Sequence, residues 1–220
     1  MRDAEYNVGV KTMEHTHFRI VGMSYGWMDW QVRGPGIKED ICASWVGDTT
    51  LDPMLRLATS MLTFRKEGYF WHLNMKEWTD FVAGFPGEPE CYQATFREPE
   101  GNTVEFILEK SDDDMGTGGS PYRQIGEGTV NMDEFANDLL ADSVRLLREY
   151  GFVGFHEMWD HNEYPIAELL RLIAVQRNRE PFCAGLEQEL RDLMDVIDTN
   201  KSSEATSEPA QGTASSSPQG

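Results

Sequence analysis

The sequence has only three cysteines, Cys42, Cys91 and Cys183, widely separated, odd in number and without C-x-x-C spacing. That argues against a disulfide framework and against a thiolate zinc knuckle, and it suits a reducing cytoplasm. No stretch approaches the roughly 20 consecutive apolar residues that span a bilayer. The opening "MRDAEYNVGVKTMEHTH" is polar throughout, so no secretory leader is expected. Positive charge is scarce as well: 19 Lys and Arg stand against 38 Asp and Glu, a net charge of −19. A field of that sign repels phosphate backbones and anionic membranes and attracts basic proteins or cations. Nucleic acid and membrane are therefore disfavoured as partners, and a basic protein is favoured. The excess is uneven, six negative charges over residues 1–110 and twelve over 111–200. Acidity that serves solubility alone, or a salt-rich cytoplasm, is the competing explanation; six Lys against 13 Arg fits it without deciding it.

Core-forming material is plentiful. Hydrophobic residues make up 40% of the chain, with six Trp and eleven Phe, enough for a core without staples. Residues 14–200 read as a single α+β domain, after a loose N-terminus over 1–13. Residues 201–220, "KSSEATSEPAQGTASSSPQG", hold no aromatic or large aliphatic side chain and read as a disordered tail, unable to offset the entropy of ordering.

Within the domain, "HFRIVGMSY", "WMDWQVRG" and "EDICASWVG" read as strands, with Gly-Pro-Gly at 34–36 turning the second into the third. A helix is expected at about 52–66: Asp52 and Pro53 start it, Leu55, Ala58, Thr59 and Leu62 form its apolar stripe, and Gly68 ends it. "YFWHLNM", "CYQATFRE" and "TVEFILEK" read as further strands. The last two alternate cleanly, Tyr92, Ala94 and Phe96 against Val104, Phe106 and Leu108, and "PEGN" between them predicts an antiparallel hairpin. "YRQIGEGTVNM" offers one more strand. Helices are expected at 133–150, from Phe135, Leu139, Leu140, Val144 and Leu147 on one face with a stop at Gly151, then over "YPIAELLRLIAVQRN" and "GLEQELRDLMDVID". The order predicts a largely antiparallel sheet with helices packed on one face and a helical C-terminal half.

Chemistry-bearing residues concentrate in "HEMWDHNEYP", residues 156–165. A zincin places histidines at i and i+4 of one helical face, but four after His156 stands Asp160, and His161 is one place too far. The flanking Gly and Pro suggest a connector, with Phe155 and Trp159 in the core and His156, Glu157, Asp160 and His161 at the surface. An alternative metal site draws on His15 and His17, which share one face of an extended strand, with His156 and Asp160, and with His72 or His161 as further ligands. Asp112, Asp113 and Asp114 lack the ligand pattern of a calcium loop and read as a solvated loop, with a contact surface for a basic partner as the alternative. Around "FVAGFPGEPECY", Trp78 and Phe85 are either core or aromatic anchors of an interface. "GTGGS" has neither the Lys of a P-loop nor a dinucleotide-binding context, and no nucleophile elbow occurs. No catalytic residue and no cofactor is assigned.

The helix after the first strands, the "FPGEPECY" turn with its hairpin, the long helix ending in "EYGFVGF" and the later "W…YP…LLRL" together resemble uncharacterised small acidic bacterial proteins, some of them immunity-protein-like. The resemblance spans about residues 15–176. It transfers no functional residues. With the one-sided charge and the lack of a catalytic constellation, the expectation is a cytoplasmic, non-enzymatic module that binds a protein, a basic toxin domain among the options. Asp112, Asp113, Asp114, Glu157, Asp160, Trp78 and Phe85 are candidate contact residues by their own charge and aromatic character. A metal-dependent enzyme built on the histidines is the competing expectation.

Overall fold

The computed structural model describes residues 14–44, 50–68, 77–87, 89–112, 120–159, 162–180 and 185–204. Three strands come first, β1 (His17–Ser24), β2 (Trp27–Gly34) and β3 (Ile37–Ser44), then helix α1 (Leu51–Glu67). Four more strands follow, β4 (Phe81–Phe85), β5 (Cys91–Phe96), β6 (Thr103–Ser111) and β7 (Arg123–Asn131). The chain closes with α2 (Met132–Met158), α3 (Ile166–Gln176) and α4 (Leu186–Glu204). The class is α+β, as expected, but the strands form two antiparallel sheets rather than one, ordered β1-β2-β3 and β4-β5-β6-β7.

The two sheets meet at both margins. Thr16 N–H donates to Thr129 O at 2.7 Å beside β7, and Ser44 N–H donates to Pro86 O at 2.5 Å beyond β4. Their inner faces carry the alternating apolar residues. Phe18 of β1 packs on Phe96 of β5 and Phe106 of β6, with ring centroids 5.6 and 5.1 Å apart, and on Phe135 of α2 at 6.0 Å. All four rings are buried, and each such side chain contributes about 1.5–3 kcal/mol on leaving water. The β5–β6 hairpin pairs Ala94 with Leu108 and Phe96 with Phe106, matching the alternation. β4 lies outside the strands expected from the sequence, and the strand expected at 69–75 falls outside the described residues.

In α1 the stripe Leu55, Ala58, Thr59 and Leu62 is buried, and Gly68 closes the helix with its N–H on Phe64 O at 2.8 Å. Asn131 caps α2, its side chain accepting from the amides of Asp133 and Glu134. Both of those residues are acidic, which suits the positive end of the helix dipole. The first helical segment of α2 ends at Gly151, as expected: the backbone there leaves helical geometry, at φ 65 and ψ −176, and a second helical segment runs on beyond it to Met158. "HEM" therefore ends a helix rather than forming a connector. α4 likewise extends four residues into the expected tail, to Glu204.

α2 lies along β1. Among the described residues that strand pairs only with β2, and an edge left open would expose unpaired backbone groups. Asp142 accepts the Ile20 amide at 2.9 Å, Arg145 donates to Ile20 O at 2.6 Å, and the Tyr150 hydroxyl donates to Met23 O at 2.9 Å. One face of α2 thus covers that edge, and the same contact aligns the kinked end of α2 with the β1–β2 turn.

Candidate functional site

That turn is built from Tyr25 and Gly26, both at positive φ, 35 and 84. Two such residues give the primed geometry that matches strand twist, and Gly adopts it freely while Tyr does so at a cost in strain. The turn is fixed from both sides: Met23 is held by Tyr150, and Gly26 N–H donates to Met158 O at 2.6 Å. Between those two anchors on the helix stand Phe152 and Val153. Tyr25 is 85% exposed, Val153 76% and Phe152 46%.

These side chains sit on a rigid base. Phe155 and Trp159 are fully buried, and Tyr164 packs its ring on Phe155 at 5.0 Å. Its hydroxyl donates to Ser143 O at 2.8 Å, and burial pushes its pKa well above the ordinary phenol value. The exposed Phe152 ring rests edge-on against the same Tyr164, 5.9 Å between centroids. Acidic groups lie close by in the chain: Glu149 is exposed and bonds Arg145, Glu157 is exposed, and exposed Glu163 pairs with His156 at 3.4 Å.

The residues singled out in the sequence are dispersed. Phe85 is fully buried against Trp30, with centroids 5.4 Å apart, and Trp78 is buried against Phe64, also at 5.4 Å. Both serve the core, so neither presents an aromatic face to a partner. Asp112 is exposed and paired with Arg123 at 2.9 Å. Asp113, Asp114, Asp160, His161 and His72 fall outside the described residues.

The described histidines serve separate partners. His15 Nδ1 lies 3.3 Å from the Thr129 hydroxyl. His17 donates from Nδ1 to Asp138 at 2.6 Å, an arrangement that orients an imidazole, but among the described residues no hydroxyl or thiol bonds that ring. β1 runs along α2, so His17 at its start and His156 beyond its far end lie at opposite ends of the contact. Among the described residues no group of three or more His, Cys, Asp or Glu side chains is placed to hold a metal ion.

A cleft of about 480 Å³ between the ends of α1 and α3 is lined by Arg65, Lys66, Asp133, Asn137, Gln176 and Asn178 among others. Its polar groups engage one another, Arg65 with Asp133 at 2.7 Å and Gln176 with Asn137 at 3.0 Å. The bond from Arg65 holds the Asp133 carboxyl below its usual range.

The surface of Tyr25, Phe152 and Val153 is not evident from composition, because exposure is decided by the tertiary fold. The available signals were the Tyr-Gly pair of a tight turn and the two glycines in "GFVGF". Among the described residues, Glu157 is exposed on the same helical segment as Phe152 and Val153. Comparison with protein-family models, with curated proteins and with solved structures gives no match.

Proposed function

We propose that this chain is a non-enzymatic module that binds a basic protein, in the manner of an immunity protein that neutralises a basic toxin domain. The observation that carries the reading is the exposure of Tyr25 on a fixed turn and of Phe152 and Val153 on the helical segment bonded to that turn, with exposed Glu149, Glu157 and Glu163 close to the latter two in the chain. Aromatic anchors dominate binding energy at protein interfaces. Carboxylates around them would raise the association rate and reject acidic competitors, and a net charge of −19 supplies the same sign at long range.

The test is capture from native lysate on the immobilised full chain at low and moderate salt, with a Tyr25→Ser, Val153→Asp variant alongside and metal analysis of the bait. A basic protein held at low salt, released by moderate salt and lost with the variant supports the reading. Absence of any such protein together with one tightly held metal per chain overturns it in favour of the histidine-based enzyme.

A further inference from the structure

The inner face of α4 is firmly attached. Asp192 is buried and accepts from Arg177 at 2.5 Å, from Arg179 and from Gln188 at 3.0 Å. Leu193 is buried beside it, and Val196 and Ile197 pack against the core. The outer face is different. Leu186 is 70% exposed, and Leu190 and Met194 are each 53% exposed. Spaced four apart, they form one row about 12 Å long. Exposed Glu187, Asp195 and Asp198 run along its solvent side, with Glu187 3.8 Å from Arg191 and Asp195 3.3 Å from Arg177. Over residues 186–199 there are five acidic side chains and one basic, Arg191.

A row of large aliphatic side chains left in water on a well-anchored helix is the mark of an interaction surface. Its charge selects the occupant. A second copy of this chain would set carboxylate rows against each other, and like charges across an interface cost several kcal/mol. An anionic lipid surface is repelled in the same way. A helix whose apolar row is bordered by Lys and Arg satisfies both features at once.

We infer that the Leu186–Leu190–Met194 row of α4 docks a cationic amphipathic helix of the partner. The inference rests on the basic-partner reading above and adds a second contact surface to it. The row supplies apolar area, and the acidic excess along it, part of it shared with Arg177 and Arg191, draws the partner's ammonium and guanidinium groups.

The test uses the full chain and a labelled Lys/Leu amphipathic helical peptide, with a scrambled peptide of the same composition and a Glu/Leu counterpart. Anisotropy titration is run at two salt concentrations on wild type, on Leu186→Gln/Leu190→Gln/Met194→Gln and on Glu187→Gln/Asp195→Asn/Asp198→Asn. All six positions are exposed, and circular dichroism checks each fold. The expected result is salt-sensitive binding of the Lys/Leu peptide alone, weakened about tenfold or more by the apolar triple variant and made less salt-sensitive by the charge variant.

Equal binding by wild type and the apolar variant overturns the inference, as does equal binding of the scrambled or acidic peptide. So does a wild-type dimer in sedimentation that the apolar variant abolishes, since it makes a second copy the occupant. The lysate capture is repeated with the apolar variant. A basic partner retained equally by both chains overturns the α4 assignment and leaves the binding-module reading standing. A lysate with no salt-released partner, together with one tightly held metal per chain, overturns that reading itself.

Discussion

Arg19 and Asp142 face each other across the β1–α2 contact in a two-pronged ion pair, Nε to Oδ2 and Nη2 to Oδ1, both 2.8 Å. The same carboxylate accepts the Ile20 amide at 2.9 Å. Asp142 is buried, so its removal leaves a backbone donor without its acceptor and the Arg19 guanidinium with only Asp138, at 3.7 Å. Breaking a buried pair costs about 3–5 kcal/mol, and the partial exposure of Arg19, 43%, brings the expectation to about 2–4 kcal/mol. Asp142→Ala is therefore expected to lower the urea midpoint strongly, and Asp142→Asn, which keeps an acceptor for Ile20, to lower it less. Equal losses for the two variants would show that the bond to the backbone contributes nothing.

The sheet margin at Thr16 is limited by space. Thr16 is buried between two glycines: a Cβ on Gly34 would lie 2.8 Å from the Thr16 Cα, and one on Gly128 would lie 2.8 Å from its Oγ1. Gly34→Ala must push β2 away from the segment that bonds β7, a cost of about 1–3 kcal/mol. Gly84→Ala serves as the control, because a Cβ there meets nothing within 4 Å, and it is expected to leave the midpoint unchanged or slightly raised. Chemical denaturation of both variants checks this, and a Gly34→Ala chain as stable as wild type would refute the crowding argument.

What the sequence revealed and what it hid divide along physical lines. The β5–β6 hairpin is legible because a two-residue alternation and a turn signal are local properties. The α1 stripe and the first half of α2 are legible because a 3.6-residue period survives without knowledge of neighbours. β4 is hidden because its alternation, Phe81, Ala83 and Phe85, is short and interrupted by Gly84. The break at Gly151 is legible, as a glycine after a helical pattern; the second helical segment beyond it is hidden, because burial of Phe155 and Trp159 is what stabilises it. Division into two sheets depends on which strands meet, a tertiary matter. The same limit applies to the site: Trp78 and Phe85 carry the composition of an interface and lie in the core, while Tyr25 and Val153 show no local pattern and stand in solvent.

Cys42 is an exposed thiol with restrained chemistry. It sits opposite Asp29 in the β2–β3 register, and its pKa is pushed up to about 11, first by desolvation and then by the hydrogen bond and charge of Asp29. At pH 8 only about one thiol in a thousand is ionised, and the thiolate is the reactive form. Alkylation by iodoacetamide at pH 8, followed on the Cys42 peptide by mass spectrometry, is expected to run at least about tenfold slower than for an unperturbed cysteine. Asp29→Asn is expected to accelerate it. A rate equal to that of a free thiol, or one indifferent to Asp29, would contradict this account.

Glu168 of α3 gives stability an unusual pH dependence. Its carboxylate is buried, bonded to Arg171, with Arg56 Nε at 3.5 Å. Burial raises its pKa, with Asp52 adding to the effect, while Arg171 and Arg56 act in the opposite direction without cancelling it. A carboxyl whose pKa is higher folded than unfolded binds its proton more tightly in the folded state. Its contribution is then most favourable below the ordinary glutamate value of about 4.3 and is lost as pH rises through the raised folded value. At pH 7 the charged side chain is a net liability beside a neutral isostere. Glu168→Gln is accordingly expected to raise the thermal midpoint at pH 7, with the gain shrinking as pH falls toward 4. A variant less stable than wild type at pH 7, with the deficit closing in acid, would mean that the arginines outweigh burial at this site and that Glu168 is held as a carboxylate.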